Sequence, residues 1–141
     1  MSNAFEKLFI KEYEKVALIG SDLPTISVDI ISQAIHGLET KNCIIGPSRD
    51  GGYYLIALSH LYSDIFKKLP WSTSDVLKKT IDILVKKGLT YSLLPESEDI
   101  DTYKELISFY QNYKEKNIND PDFPTHSWSV ISRLIGKRKS I

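Results

Sequence analysis

Four consecutive apolar residues, Val16-Ala17-Leu18-Ile19, stop at the turn sequence Gly20-Ser21-Asp22-Leu23-Pro24. A run this short, bounded by turn residues, reads as a strand buried on both faces, and such strands need other elements to cover them. The pattern recurs. Asn42-Cys43-Ile44-Ile45 closes at Gly46-Pro47, Tyr53-Tyr54-Leu55-Ile56-Ala57-Leu58 follows the turn signal Asp50-Gly51-Gly52, and Tyr91-Ser92-Leu93-Leu94 ends at Pro95. Between these runs the period changes to that of a helix. Residues 3–14 place Phe5, Leu8 and Phe9 on one side, and Val28, Ile31, Ala34, Ile35 and Leu38 form a second stripe behind Ser27 as N-cap. A third helix is expected over 73–87, with Leu77, Ile81, Leu84 and Val85 inward, Ser72 and Asp75 as a capping box and Gly88 as its stop. Thr102 and Glu105 form another capping box, opening a helix that carries Tyr103, Leu106, Ile107, Tyr110 and Tyr113. A short helix near 126–135 follows the break at residues 119–124. Strands alternating with helices predict an α/β layer fold.

A chain of 141 residues suits one domain, and 42% hydrophobic with 26% charged residues excludes a disordered chain. Eighteen basic and 18 acidic residues cancel, so no broad basic field exists for nucleic acid. The balance is uneven along the chain. Arg133, Lys137, Arg138 and Lys139 all follow Asp122, the last acid, so the body before them is net acidic. The single Cys43 excludes an internal disulfide framework and a cysteine-built zinc site. No apolar run approaches the roughly 18 residues of a membrane span, and the polar N-terminus is not a signal peptide, so the expected location is the cytoplasm.

Ligands of open α/β sheets gather beyond the C-terminal ends of strands. Three acidic loops follow expected strands: Ser21-Asp22-Leu23-Pro24, Arg49-Asp50-Gly51-Gly52, and the segment from Glu96 through Glu98 and Asp99 to Asp101. Converging carboxylates suit a hard cation such as Mg²⁺, which bridges protein and phosphate oxygens and neutralises a diphosphate leaving group. Each loop also has a plainer reading. Asp22 before Pro24 suits a turn, Asp50-Gly51-Gly52 a hairpin, and Asp101 or Thr102 a helix cap. His36 beside an apolar stripe reads as a partly buried structural histidine, His60 and His126 as surface residues, and Cys43 as a small core residue. Tyr53 and Tyr54 fit either stacking on a ligand or packing, whereas Trp71 lies in the loop Pro70-Trp71-Ser72-Thr73, outside any periodic stripe.

Taken in order, Ala17-Leu18-Ile19-Gly20-Ser21-Asp22-Leu23-Pro24, Ile45-Gly46-Pro47-Ser48-Arg49-Asp50-Gly51-Gly52-Tyr53-Tyr54-Leu55-Ile56, Pro70-Trp71-Ser72-Thr73 and Asp99-Ile100-Asp101-Thr102 resemble one family. It is the small bacterial GT-A-type glycosyltransferase-like family of the radical-SAM/selenodomain-associated transferase type, and the resemblance covers about residues 1–107. It implies a GT-A-like (nucleotide-diphospho-sugar transferase) α/β sandwich with a mostly parallel sheet, occupying residues 1–115, and a tail with a short helix over 116–141. It also implies metal binding by Asp22 and Asp101, with Mg²⁺ or Mn²⁺ as the ion. Asp50 falls at the reacting sugar, while Gly51, Gly52, Tyr53, Trp71 and Ser72 match substrate-binding positions. The Ser21-Asp22-Leu23 sequence departs from the fuller Asp-x-Asp form.

Members of that family open with a nucleotide-binding half carrying a glycine- and lysine-containing phosphate loop, and nothing in this chain matches it. The chain is therefore expected to be N-terminally truncated relative to the family, with a sheet edge uncovered. The implied partners are a nucleotide-sugar and a small-molecule acceptor, with a homo-oligomer as a further expectation. Two other functions remain open on the same residues: a nucleotidyltransferase-like enzyme, and a non-catalytic subunit that needs a partner. The segment after residue 115 reads either as a packing helix or as a lid in which Pro121, Pro124 and Trp128 fold over the site.

Overall fold

The computed structural model describes residues 1–97, 99–120 and 122–138. Glu98, Pro121 and Lys139 lie outside the described residues, as do the side chains of Lys137 and Arg138. The helices are α1 (Ser2–Phe9), α2 (Val28–Gly37), α3 (Val76–Lys86), α4 (Tyr103–Tyr113) and α5 (Thr125–Arg138). The strands are β1 (Val16–Ile19), β2 (Cys43–Pro47), β3 (Tyr53–Leu58) and β4 (Tyr91–Leu93), with a short 3₁₀ helix at Ser63–Phe66. The chain divides into two compact units, Met1–Gly20 with Asp29–Glu98, and Ser21–Val28 with Asp99–Ile141.

The larger unit holds the sheet, in the order β1-β3-β2-β4. β3 pairs antiparallel with β1, Val16 opposite Leu58 and Ile19 opposite Leu55. It also pairs antiparallel with β2, Cys43 opposite Leu58, and the register shifts between Gly46 and Pro47. Among the described strands, β2 and β4 are the pair that runs parallel. The sheet is therefore mixed, and the mostly parallel sheet expected from the resemblance is corrected. The reason is connection length. Residues 48–52 alone join β2 to β3, whereas a parallel crossover takes a dozen residues or more. β1, β2 and β4 still share one direction, with β3 inserted against them.

β3 is central, and Leu55, Ile56, Ala57 and Leu58 are all essentially inaccessible, as an unbroken apolar run requires. Cys43, Ile45, Ile56 and Leu58 join Phe5 of α1, Ile65 and Phe66 of the 3₁₀ helix and Leu84 of α3 in one core. The Phe5 and Phe66 rings stack at 5.4 Å between centroids. α1 ends earlier than its periodicity predicts. Glu12 adopts φ 65°, its N–H donates to the Phe9 carbonyl and the Tyr13 N–H to that of Leu8, which closes the helix in a left-handed cap. Glycine is the usual signal for that cap, and glutamate hides it. α3 starts at Val76, and the expected Ser72–Asp75 box does not form. Instead the Thr73 hydroxyl donates to the Pro70 carbonyl at 2.7 Å and accepts from the Asp75 N–H at 3.4 Å.

In the smaller unit, Phe109, Ile131 and Ile135 bring α4 and α5 together. Trp128 stacks on Tyr110 at 5.1 Å and meets Phe123 edge-on at 5.9 Å. Trp128 thus belongs to a packing helix, longer than the one expected near 126–135. The capping box of α4 forms as its sequence predicts. The Glu105 N–H donates to Thr102 Oγ1 at 3.3 Å, and the Thr102 and Asp101 N–H groups donate to Glu105 Oε2 at 2.6 and 2.8 Å. The bonds from the Thr102 and Asp101 backbone hold the Glu105 carboxyl below its usual range. A depressed carboxyl pKa stabilises the fold above the unfolded-state value, and that contribution fades as pH falls through the folded-state value. Acid titration of thermal stability is expected to show this loss in the native chain and a flatter profile in Glu105→Gln. Thr102→Ala is expected to cost about 1 kcal/mol at neutral pH by denaturant unfolding.

Candidate functional site

In the larger unit, the turn after β2 and the loop before α3 meet although some 20 residues separate them. The Gly51 N–H donates to the Ser48 carbonyl and the Ser48 N–H to that of Gly52, both at 3.1 Å. The Gly52 N–H donates to Asp50 Oδ1 at 2.8 Å, so Asp50 does fill the turn role its Asp-Gly context predicts. Asp50 is exposed, and its Oδ2 carries no turn bond. Gly51 sits at φ 88°, and a Cβ there would strike the Ser74 backbone. The Gly51 carbonyl accepts from the Leu77 N–H at 2.9 Å, which anchors the turn to the first turn of α3.

The same loop carries Trp71, 43% exposed, with its ring edge-on to Tyr53 at 6.5 Å. Ser72 follows at φ 63°, a left-handed conformation unusual for serine. The structure therefore brings Asp50, Gly51, Gly52, Tyr53, Trp71 and Ser72 into one neighbourhood. Beneath them, burial pushes the Tyr53 hydroxyl up to about 12, partly opposed by the Thr80 hydroxyl. Thr80 is fully buried and donates to the Val76 carbonyl at 2.8 Å, a helix-internal bond that gave no sequence signal of its place under Tyr53. Arg49 and Glu96 flank the turn as an ion pair at 3.5 Å, and Ser48 bridges to Ser97.

In the smaller unit, the Ile100 N–H donates to the Asp22 carbonyl at 3.0 Å, which places the Asp22 loop against the residue preceding Asp101. Both aspartates are exposed. Thr102 caps α4, so the Asp101 carboxylate is not the cap, and neither it nor the Asp22 carboxylate is engaged by a described residue. Two free carboxylates on adjoining loops fit a hard cation that keeps several waters and takes phosphate oxygens. They do not make an all-protein cage, because among the described residues no three His, Cys, Asp or Glu side chains gather. A concavity of about 340 Å³ opens beside Pro24, lined by Pro24, Phe123, Pro124, Thr125, His126 and Ser127. His126 is exposed at its rim, the surface position expected of it.

The remaining candidates are structural. His36 is exposed, which corrects its expected partial burial, and its Nδ1 lies 2.9 Å from the Ser32 carbonyl one helical turn back. Cys43 is fully buried, and desolvation pushes its thiol up to about 12, leaving it a core residue rather than a nucleophile. Among the described residues, no helix is long and apolar enough to cross a membrane.

The fold is similar to the crystal structure of a "putative nucleotide-diphospho-sugar transferase" from Desulfovibrio desulfuricans G20, with 29% identity and a TM-score of 0.83. The match covers 97% of this chain and 60% of that one, so this chain spans less than two thirds of the bacterial protein. At the level of sequence, the chain belongs to the family described as "Uncharacterized protein conserved in bacteria (DUF2064)", whose pattern matches residues 1–73. No curated protein matches it.

Gly51 and Gly88 separate two reasons for glycine. Both have positive φ, but a Cβ at Gly88 meets nothing within 4 Å, whereas one at Gly51 meets backbone. Gly88→Ala is expected to cost about 1 kcal/mol, the conformational term alone. Gly51→Ala is expected to exceed it clearly, by roughly 2 kcal/mol or more, because the α3 loop must also move. Paired denaturant titrations check the difference.

Proposed function

We propose that this chain acts in transfer from a nucleotide-activated sugar, with a divalent cation held by Asp22 and Asp101. The single observation that carries the reading is the pair of aspartates on adjoining loops, neither carboxylate engaged by a described residue. Its support from outside the site is the similarity to the bacterial nucleotide-diphospho-sugar transferase structure. The cation, Mg²⁺ or Mn²⁺, would supply positive charge to the departing diphosphate. Within the smaller unit the role of Asp22 and Asp101 is to bind and orient. Each contributes carboxylate oxygen from a backbone position fixed by a hydrogen bond, Asp22 through its carbonyl and Asp101 through its N–H.

In the larger unit, Asp50 takes the catalytic position at the reacting sugar, with its Oδ2 as the available atom. Gly51 and Gly52 let the turn approach substrate closely. Trp71, propped by the Tyr53 ring, offers an exposed aromatic face of the kind that packs against sugar rings. Ser72 presents a hydroxyl beside it. The acceptor is a small molecule.

The test is calorimetric titration of the chain with UDP- and GDP-sugars, with and without Mn²⁺. Metal-dependent binding is expected, weakened at least tenfold in Asp22→Asn and in Asp101→Asn with unchanged thermal stability. Binding indifferent to Mn²⁺ and to both substitutions overturns the metal assignment. Release of pyrophosphate from a nucleoside triphosphate, without sugar transfer, replaces the reading with nucleotidyl transfer.

A further inference from the structure

The exposed side of α1 carries a groove of about 520 Å³ lined by Ala4, Lys7, Leu8, Ile10 and Lys11. Its floor is apolar, and Ile10 is 73% exposed. Lys7 in the last turn of α1 and Lys11 in the turn that follows it put two like charges on its lining. Among the described residues neither lysine makes an ion pair, whereas nearby Lys15 pairs with Glu39 at 3.4 Å.

The left-handed cap at Glu12 turns the chain at the end of this groove and sets out Glu12-Tyr13-Glu14. Tyr13 is 56% exposed, and its flanking glutamates are exposed and equally free of ion pairs among the described residues. A left-handed glutamate is a strained choice where glycine would serve, and such strain persists where the surroundings use the conformation. One surface thus carries an apolar groove edged by two cations and, next to it, an aromatic side chain edged by two anions. Tyr13 does not fill the groove of its own chain: it is 56% exposed and lies outside the lining residues.

We propose that this surface joins two copies of the chain, each inserting Tyr13 into the α1 groove of the other. A two-fold interface is isologous, so a patch must be complementary to itself, which is the arrangement that adjacent groove and knob provide. Lys7 and Lys11 of each copy then face Glu12 and Glu14 of its mate, and four unpaired charges per chain become paired. Because both sets of charges belong to this chain, their complementarity selects a second copy over an unrelated acidic segment.

Sedimentation over a concentration series tests this on the full chain. The wild type is expected to dimerise, and added salt to weaken the dimer. The variant Lys7→Glu/Lys11→Glu and the variant Glu12→Lys/Glu14→Lys are each expected to self-associate at least about tenfold more weakly, since both interfaces then oppose like charges. Mixed together, the two variants are expected to form a heterodimer, because each groove again meets the opposite charge. That recovery also shows that both variants are folded. A wild-type monomer up to millimolar concentration overturns the proposal, as does a dimer that survives both charge reversals or a mixture that stays monomeric. None of these readouts involves nucleotide-sugar or metal, so they stand or fall apart from the transferase reading.

Discussion

Everything in the larger unit depends on β3 being hydrogen-bonded on both sides. Its four residues from Leu55 to Leu58 are removed from water together, and their backbone groups find partners in β1 and β2. A buried strand without both ladders would strand several polar groups, each costing about 1–3 kcal/mol. The five-residue connection 48–52 makes that insertion antiparallel. Gly51 is the only point in the connection where the chain turns through positive φ, and it does so against the Ser74 backbone. The turn, the loop carrying Trp71 and the start of α3 are therefore one structural event.

The candidate chemistry rests on which polar groups the fold leaves unused. Thr102 and Glu105 satisfy the start of α4 between them, and that frees Asp101. The Asp22 backbone carbonyl, rather than its side chain, meets Ile100, and that frees Asp22. Asp50 differs, because one of its oxygens is spent on the turn. Two carboxylates that no described residue engages are a stronger pointer to a ligand than acidic residues counted along the chain, since a cap or an Asx turn explains most aspartates at such positions.

The elements legible in advance were those in which a local rule acts alone. The apolar runs at 16–19 and 53–58 became strands over those same residues, and the Thr102–Glu105 box formed as its spacing predicts. Failures came where a competing interaction had no sequence signature. The end of α1 is set by a left-handed glutamate, and the start of α3 by Thr73 bonding back to Pro70. The mostly parallel sheet that the resemblance implies fails against the short connection between β2 and β3, which the sequence carries as Asp50-Gly51-Gly52. At the site, the residues that cluster around Trp71 all carry motif signals, whereas Thr80 under Tyr53 carries none, because a threonine on a helix stripe looks like any other core position.

The sequence by itself determined the alternation of strand and helix, the caps, the breaks and the acidic character of the loops after the strands. These follow from periodicity and from side chains bonding to their own backbone within a few residues. Tertiary structure alone decided the strand order, the docking of Gly51 against Ser74, the placing of the Asp22 loop beside Ile100 and the exposure of Ile10 and Tyr13. Each of these joins or uncovers residues through contacts made over long sequence separations. Such contacts are chosen by how apolar faces can be buried together, a property of the whole packed chain rather than of any segment.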